Sequence, residues 1–115
     1  DQAIRDGVER IASEGGLSSD LEQIFYYAPV PFDQSCVEAV DGAAQSCGYS
    51  ARRIVTGAGH DACFIAHAAP TSMVFIPCID GISHNEVEDI EPEWSTAGAN
   101  VMFRAMLSKA GHADG

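Results

Sequence analysis

The chain has 115 residues, at most one ordinary domain, and 46% of them are hydrophobic, so a core can form. Its 17 acidic residues outnumber its 6 basic residues, which argues against nucleic acid and anionic membranes as partners. No apolar run approaches the roughly 20 residues of a membrane span. The first residues do not have the pattern of a signal peptide, and the sequence starts inside a helical pattern without Met, so we expect a piece of a longer protein.

The first third of the chain predicts a helix, a strand and a crossover. Residues 1–14 carry an apolar stripe at helical spacing: Ile4, Val8, Ile11 and Ala12. Gly15 ends this helix. Residues 20–27 are rich in Ile, Phe and Tyr and predict a strand. Pro29 and Pro31 break that strand and mark the best domain boundary or crossover in the chain.

The middle of the chain predicts a second helix over residues 34–46, which Asp33 caps and Gly48 ends. Its apolar positions form one stripe: Cys36, Val37, Val40, Ala43, Ala44 and Cys47. Residues 52–55 predict a short strand, and residues 60–68 a short, buried helix.

The last third predicts a buried strand over residues 72–77, because its apolar run is continuous rather than alternating. A final helix follows, with Pro92 at its first position and its end near Lys109. Its expected core face consists of Ala97, Val101, Ala105 and Met106, with Met102 and Leu107 beside them. From residue 34 onward helices and strands alternate, which predicts an α/β layered sheet with helices on its faces.

Four cysteines stand at positions 36, 47, 63 and 78, and no two of them form a C-x-x-C pair. The pattern suggests neither a zinc ribbon nor a redox motif. We expect small hydrophobic packing roles for all four, in a reducing, cytoplasmic setting.

His84 is the leading candidate for a metal ligand. It lies in a Gly-Ile-Ser-His loop seven residues after the predicted strand, and imidazole is the commonest protein metal ligand. Glu86, Glu88 and Asp89 follow it and could orient the imidazole or bind the metal themselves. The alternative is a solvated acidic loop with a surface histidine.

His60 opens the short helix after Gly57-Ala58-Gly59. Glycines let backbone N–H groups approach a ligand closely, and a helix N-terminus favours a carboxylate or a developing oxyanion. The alternative is an ordinary helix start, with His60 as the cap and Asp61 favourable to the helix dipole. His67 and His112 carry no such pattern, and Ser83 is not part of a nucleophile elbow.

Three segments together resemble the hydantoinase/carbamoylase family of zinc-dependent amidohydrolases, a branch of the aminopeptidase-like di-metal hydrolases. They are Gly57-Ala58-Gly59-His60-Asp61-Ala62, then Pro70-Thr71-Ser72-Met73-Val74-Phe75-Ile76-Pro77, then Gly81-Ile82-Ser83-His84-Asn85 with Glu88. The family contains N-carbamoyl-L-amino-acid hydrolases, beta-ureidopropionases and allantoate amidohydrolases. One departure is Glu86, where the family often has Pro.

The resemblance implies a two-domain protomer in which a lid domain makes a homodimer. Residues 1–31 would be the last helix and strand of this lid or dimerisation domain. Residues 32–115 would be the C-terminal part of the α/β catalytic domain.

The resemblance also assigns roles. His84 matches the family's metal-ligand histidine, and the implied cofactor is zinc as two divalent ions, with manganese, cobalt or nickel as alternatives. The implied substrate-binding residues are Gly57, Ala58, Gly59, His60, Asp61 and Ser83. The other ligands, the general-base glutamate and the carboxylate-binding arginine of the family would precede residue 1. We therefore expect no catalytic residue in this chain, no activity and no tight zinc binding from it alone.

The implied reaction is metal-dependent hydrolysis of an N-carbamoyl or ureido amide in a small molecule. A peptidase or deacylase of the same superfamily is the nearest alternative. A binding or assembly module without catalytic function is the more distant one.

Overall fold

The computed structural model describes residues 1–111, and its regular structure is helical. The elements are α1 (Gln2–Glu14), α2 (Gln34–Ser46), α3 (Asp61–Ile65), a 3₁₀ turn (Ile79–Gly81) and α4 (Pro92–Ala110). All four helices predicted from the sequence are present, and the bounds of α2 and α4 agree with the prediction to within one residue.

Helix α2 begins where its sequence predicts, because the Asp33 side chain accepts a hydrogen bond from the main-chain N–H of Cys36 at 2.9 Å. Ser35 donates a second hydrogen bond to the same carboxyl oxygen, and Lys109 Nζ donates to Ser35 Oγ at 2.7 Å. The Ser35 and Cys36 hydrogen bonds, with the Lys109 charge, hold the pKa of Asp33 below its usual value.

Helices α2 and α4 pack antiparallel and make the core of the molecule. Lys109, near the end of α4, reaches the start of α2, while Asn100 in the middle of α4 donates to Tyr49 beyond the end of α2. The buried residues are all small or branched: Ala43, Ala44, Val101 and Ala105, with Ala39, Val40 and Val74 packed against them.

The outer parts of the predicted apolar faces are exposed, which corrects the expectation that they are core. Met102, Met106 and Leu107 of α4 are 53%, 63% and 46% exposed. In α3 the predicted burial is also wrong, since Ile65 is 54% exposed. The four cysteines are free and half-buried.

The three predicted strands are absent from residues 1–111. A strand exists through hydrogen bonds to a neighbouring strand, and residues 20–27, 52–55 and 72–77 find no such partner there. Within residues 20–27 the rings of Phe25 and Tyr27 contact each other, with centroids 5.5 Å apart, so these two side chains lie on the same side of the segment.

Residues 72–77 are half-buried rather than fully buried, which corrects the prediction from the continuous apolar run. Val74 packs on the core between α2 and α4. Ile76 contacts α4 so closely that a Cβ on Gly98 would lie 2.5 Å from its Cγ2. Phe75 is 44% exposed. This segment therefore packs on α4 along one side only.

The molecule is elongated, with extents of 73 × 33 × 22 Å and a radius of gyration of 20.3 Å, against about 13 Å for a compact domain of 100 residues. Its accessible surface is 9331 Å², compared with about 6,000 Å² for a compact protein of this mass. Within residues 1–111, every helix is too short or too polar to span a bilayer.

Candidate functional site

The loop from residue 78 to residue 90, called the His84 loop below, is closed by its own main chain. Ile79 N–H donates to the Asp89 carbonyl at 2.9 Å, which brings the two ends of the loop together. Between them Asp80, Gly81 and His84 adopt left-handed conformations, with φ of 55°, 69° and 54°. Two non-glycine residues at positive φ so close together are uncommon, and each costs on the order of 1–3 kcal/mol that the surrounding contacts must offset.

Glu88 supplies contacts of that kind across the His84 loop. Its Oε2 accepts a hydrogen bond from the His84 main-chain N–H at 2.8 Å, and its Oε1 accepts one from Cys78 Sγ at 3.5 Å. Partial desolvation and the Glu88 carboxylate raise the pKa of the Cys78 thiol, so this sulfur stays a donor.

The acidic neighbours of His84 differ in what they contact. Glu88 bonds the main chain of His84 rather than its imidazole, and Asp89 Oδ1 accepts from the adjacent Ile90 N–H at 2.9 Å. The hydrogen bond that His84 makes within residues 1–111 thus uses its backbone and leaves the imidazole to face solvent. In the same range, no group of three or more His, Cys, Asp or Glu side chains is placed to hold a metal ion.

The glycine loop, residues 56–61, precedes α3 and is organised by Thr56. The Thr56 hydroxyl accepts from Ala58 N–H at 3.1 Å and lies 3.0 Å from His60 Nε2. The His60 ring also meets the Phe75 ring edge-on, with centroids 5.4 Å apart. The imidazole is therefore oriented from two sides, and it joins the glycine loop to residues 72–77.

Thr56 and Phe75 are contacts of this site that sequence reasoning missed. The Thr56 turn has a local signal, since a threonine two residues before a small residue often bonds that residue's N–H. Phe75 has none, because its contact with His60 spans 15 residues and depends on the fold.

His60 is the residue before α3, but its side chain does not cap the helix. Asp61 occupies the first turn, where the helix dipole favours its charge. Gly57 and Gly59 do not adopt positive φ, and a Cβ on either would meet nothing within 4 Å among the described residues. Their lack of a side chain is thus not needed for packing within this part of the molecule.

The segment that leads into the glycine loop is held against α2 by Arg53. Its Nε and Nη2 both contact Asp41 Oδ2, at 2.9 and 2.7 Å. The two side chains are 55% and 32% exposed, so this ion pair contributes little to the free energy of unfolding. It does place Arg53 beside Asp41 of α2.

The residues predicted for the site thus lie in two loops. Gly57 to Asp61 form one, and Ser83 and His84, both exposed, lie in the other. Residues 72–77 connect them, with Phe75 in contact with the first loop and the second beginning at Cys78. His67 is exposed, and His112 lies outside the described residues.

A family comparison covers both loops. Residues 4–108 match the description of peptidase family M20/M25/M40. The chain belongs to this family. The resemblance to hydantoinase/carbamoylase enzymes inferred from the sequence motifs is confirmed by individual proteins that are similar to the chain.

One of them, an N-carbamoyl-L-amino-acid amidohydrolase of Rhizobium meliloti, is 48% identical over 96% of the chain and 28% of its own length. The allantoate amidohydrolase of Escherichia coli K12 is 33% identical over 76% of the chain and 21% of its own length. A crystal structure of an amidase of the hydantoinase/carbamoylase family from Burkholderia multivorans is 66% identical over 95% of the chain and 26% of that protein, with a TM-score of 0.88. The chain therefore spans about a quarter of the length of the relatives it matches.

Proposed function

We propose that this chain is part of a metal-dependent amidohydrolase that cleaves an N-carbamoyl or ureido amide in a small molecule. The observation that carries the proposal is the 48% identity to an N-carbamoyl-L-amino-acid amidohydrolase along 96% of the chain. For an N-carbamoyl amino acid, one water would convert the substrate into the amino acid, ammonia and carbon dioxide. The identity to an allantoate amidohydrolase supports the wider class of ureido substrates.

His84 is the proposed metal ligand. Its imidazole suits zinc, and the hydrogen bond of the residue is made through the main chain, so both ring nitrogens remain available. Within residues 1–111 no group of three or more potential ligands comes together, so the remaining ligands would come from the rest of the enzyme. Zinc, or manganese, cobalt or nickel in its place, would supply Lewis-acid polarisation of the scissile carbonyl and activation of a water.

The glycine loop is the proposed substrate-binding element, together with Ser83. Gly57 and Gly59 leave open space where side chains would stand, so a ligand can approach the main chain there. His60, held by Thr56 and Phe75, would present its imidazole to the substrate in one orientation. The general base that moves the proton would be a glutamate from outside this chain.

The proposed domain arrangement places residues 1–31 in a lid domain and residues 32–115 in the catalytic domain. The number of large apolar residues exposed on α1 and on residues 20–27 supports this, with Ile11 62% and Ile24 81% exposed, because such a surface suits burial against another part of the protein. In the full-length enzyme we expect residues 20–27, 52–55 and 72–77 to pair with neighbouring strands. Homodimerisation through the lid and a cytoplasmic location complete the proposal.

A peptidase or deacylase is the alternative that the family description favours. The substrate separates the two. The purified full-length enzyme should be loaded with zinc and assayed on N-carbamoyl-L-amino acids, allantoate, dipeptides and N-acetyl amino acids. Faster turnover of a carbamoyl or ureido substrate supports the proposal. Turnover confined to dipeptides or N-acetyl amino acids, or none with metal bound, would overturn it.

A further inference from the structure

Glu88 occupies a special position in the His84 loop, because it contacts the loop at two separate points. One carboxylate oxygen accepts from the His84 main-chain N–H at 2.8 Å, and the other accepts from Cys78 Sγ at 3.5 Å. Cys78 begins the loop, so the side chain spans from its first residue to the candidate ligand. The Asn85 carbonyl accepts from Glu88 N–H at 3.0 Å, which fixes the backbone of Glu88 itself.

The hydrogen bond from the His84 N–H to Glu88 matters because His84 has a left-handed backbone conformation. At φ of 54° a histidine is outside its preferred region, and an alternative backbone would turn the imidazole elsewhere. In the observed conformation the N–H of His84 donates to the Glu88 carboxylate, so the hydrogen bond stabilises that conformation. A charged acceptor makes this a stronger hydrogen bond than a neutral one would be.

We propose that Glu88 is a positioning residue: it holds the main chain of His84 in its left-handed conformation and so sets the direction in which the imidazole is presented. The effect on metal binding rests on the proposed function of His84, whereas the effect on the main chain does not. Loss of an outer contact that orients a metal ligand reduces metal affinity or activity by about 10–100-fold.

The test uses the full-length enzyme with Glu88→Ala and Glu88→Gln. Glu91→Ala is the matched control, because Glu91 is an exposed glutamate next to the same loop whose side chain makes no cap hydrogen bond to α4. Zinc affinity is measured by competition with a chelator, and the melting temperature is measured on the metal-free forms. Backbone exchange is measured by mass spectrometry on overlapping peptides within residues 79–90, whose differences isolate the His84 amide.

Glu88→Ala should weaken zinc binding by about 10–100-fold and accelerate exchange at the His84 amide. Its metal-free melting temperature should lie below that of Glu91→Ala, because the Glu88 hydrogen bonds are lost while Glu91 makes no cap hydrogen bond. The zinc affinity of Glu91→Ala should equal that of the unmodified enzyme. Glu88→Gln should recover most of the zinc affinity, because its amide oxygen can still accept from the His84 N–H. Unchanged exchange at the His84 amide in Glu88→Ala would overturn the inference. Wild-type zinc affinity in that variant would also overturn it, provided that His84→Ala does lower the zinc affinity.

A separate outcome concerns the proposed function alone. If His84→Ala retains full zinc affinity, the metal role of His84 is wrong. The exchange at residue 84 in Glu88→Ala then still decides whether Glu88 holds the main chain.

Discussion

The His84 loop and the glycine loop are held in place by different kinds of contact. The His84 loop is closed by the Ile79–Asp89 main-chain bond and by Glu88, all within 13 consecutive residues. The glycine loop has two local contacts through Thr56, to Ala58 and His60, and a further contact with Phe75 from a later segment. The conformation of the His84 loop is therefore determined by contacts within the loop itself. The conformation of the glycine loop depends also on a contact with another segment.

The largest effect is expected from His84→Ala in the full-length enzyme. Activity should fall by more than about 100-fold, since loss of a ligand should exceed the roughly 10–100-fold cost of losing an outer contact. Zinc content by mass spectrometry should fall with it, and the protein should remain folded. His67→Ala is the control, because His67 is exposed and lies in neither loop. Full zinc occupancy with unchanged turnover would contradict the assignment.

Gly59→Val tests whether the glycine loop approaches a ligand. A valine side chain would displace a bound substrate and lower kcat/KM by about 10–100-fold, because small misplacements near the chemistry have effects of this size. Thermal stability should change little, since a Cβ there meets nothing within 4 Å. A loss of stability as large as the loss of activity would instead indicate a structural role for Gly59.

Gly98→Ala should break the contact that fixes residues 72–77, and with them the segment between both loops. Its Cβ would lie 2.5 Å from Ile76 Cγ2, and overpacking of this kind costs about 1–3 kcal/mol. Gly42→Ala in α2 is the matched control, because a Cβ there meets nothing and the helix gains about 0.4–1 kcal/mol. Urea unfolding of the full-length enzyme should give opposite signs for the two variants. Equal stabilisation would show that Ile76 moves aside freely.

Thr56→Val should have the smallest effect, a loss of about 0.5–1.5 kcal/mol for each hydrogen bond removed, at the lower end because the loop is partly exposed. The ¹⁵N chemical shifts of the His60 imidazole should change as well. Thr56→Ser keeps the hydroxyl and should restore both quantities. If Ser and Val behave alike, the hydroxyl does not orient His60.

The helices could be predicted from the sequence because their signals are local. Asp33 caps α2 and Pro92 starts α4, and both signals act within one turn of the helix. The hydrogen bond between Glu88 and His84 is local too, since the two residues are four apart. The sequence does not indicate, however, which of the acidic residues of the loop accepts it. The sheet was not recovered in residues 1–111, because strand pairing joins residues far apart in sequence.

The burial of apolar faces was predicted only in part for a related reason. Val101 and Ala105 of α4 are buried by α2, whereas Met106 on the same helix is 63% exposed. Periodicity identifies a face that is suited to burial, but it does not identify the surface that covers it.

The elongated shape has a calorimetric consequence. An extended chain of this mass would expose about 17,500 Å², so folding of these residues alone hides about 8,200 Å² rather than the about 11,500 Å² of a compact domain. Heat-capacity change and urea dependence both scale with the surface exposed on unfolding. When these 115 residues are unfolded by urea on their own, the free energy of unfolding should therefore depend weakly on urea concentration. The expected m value is about 70% of the ordinary value for this length.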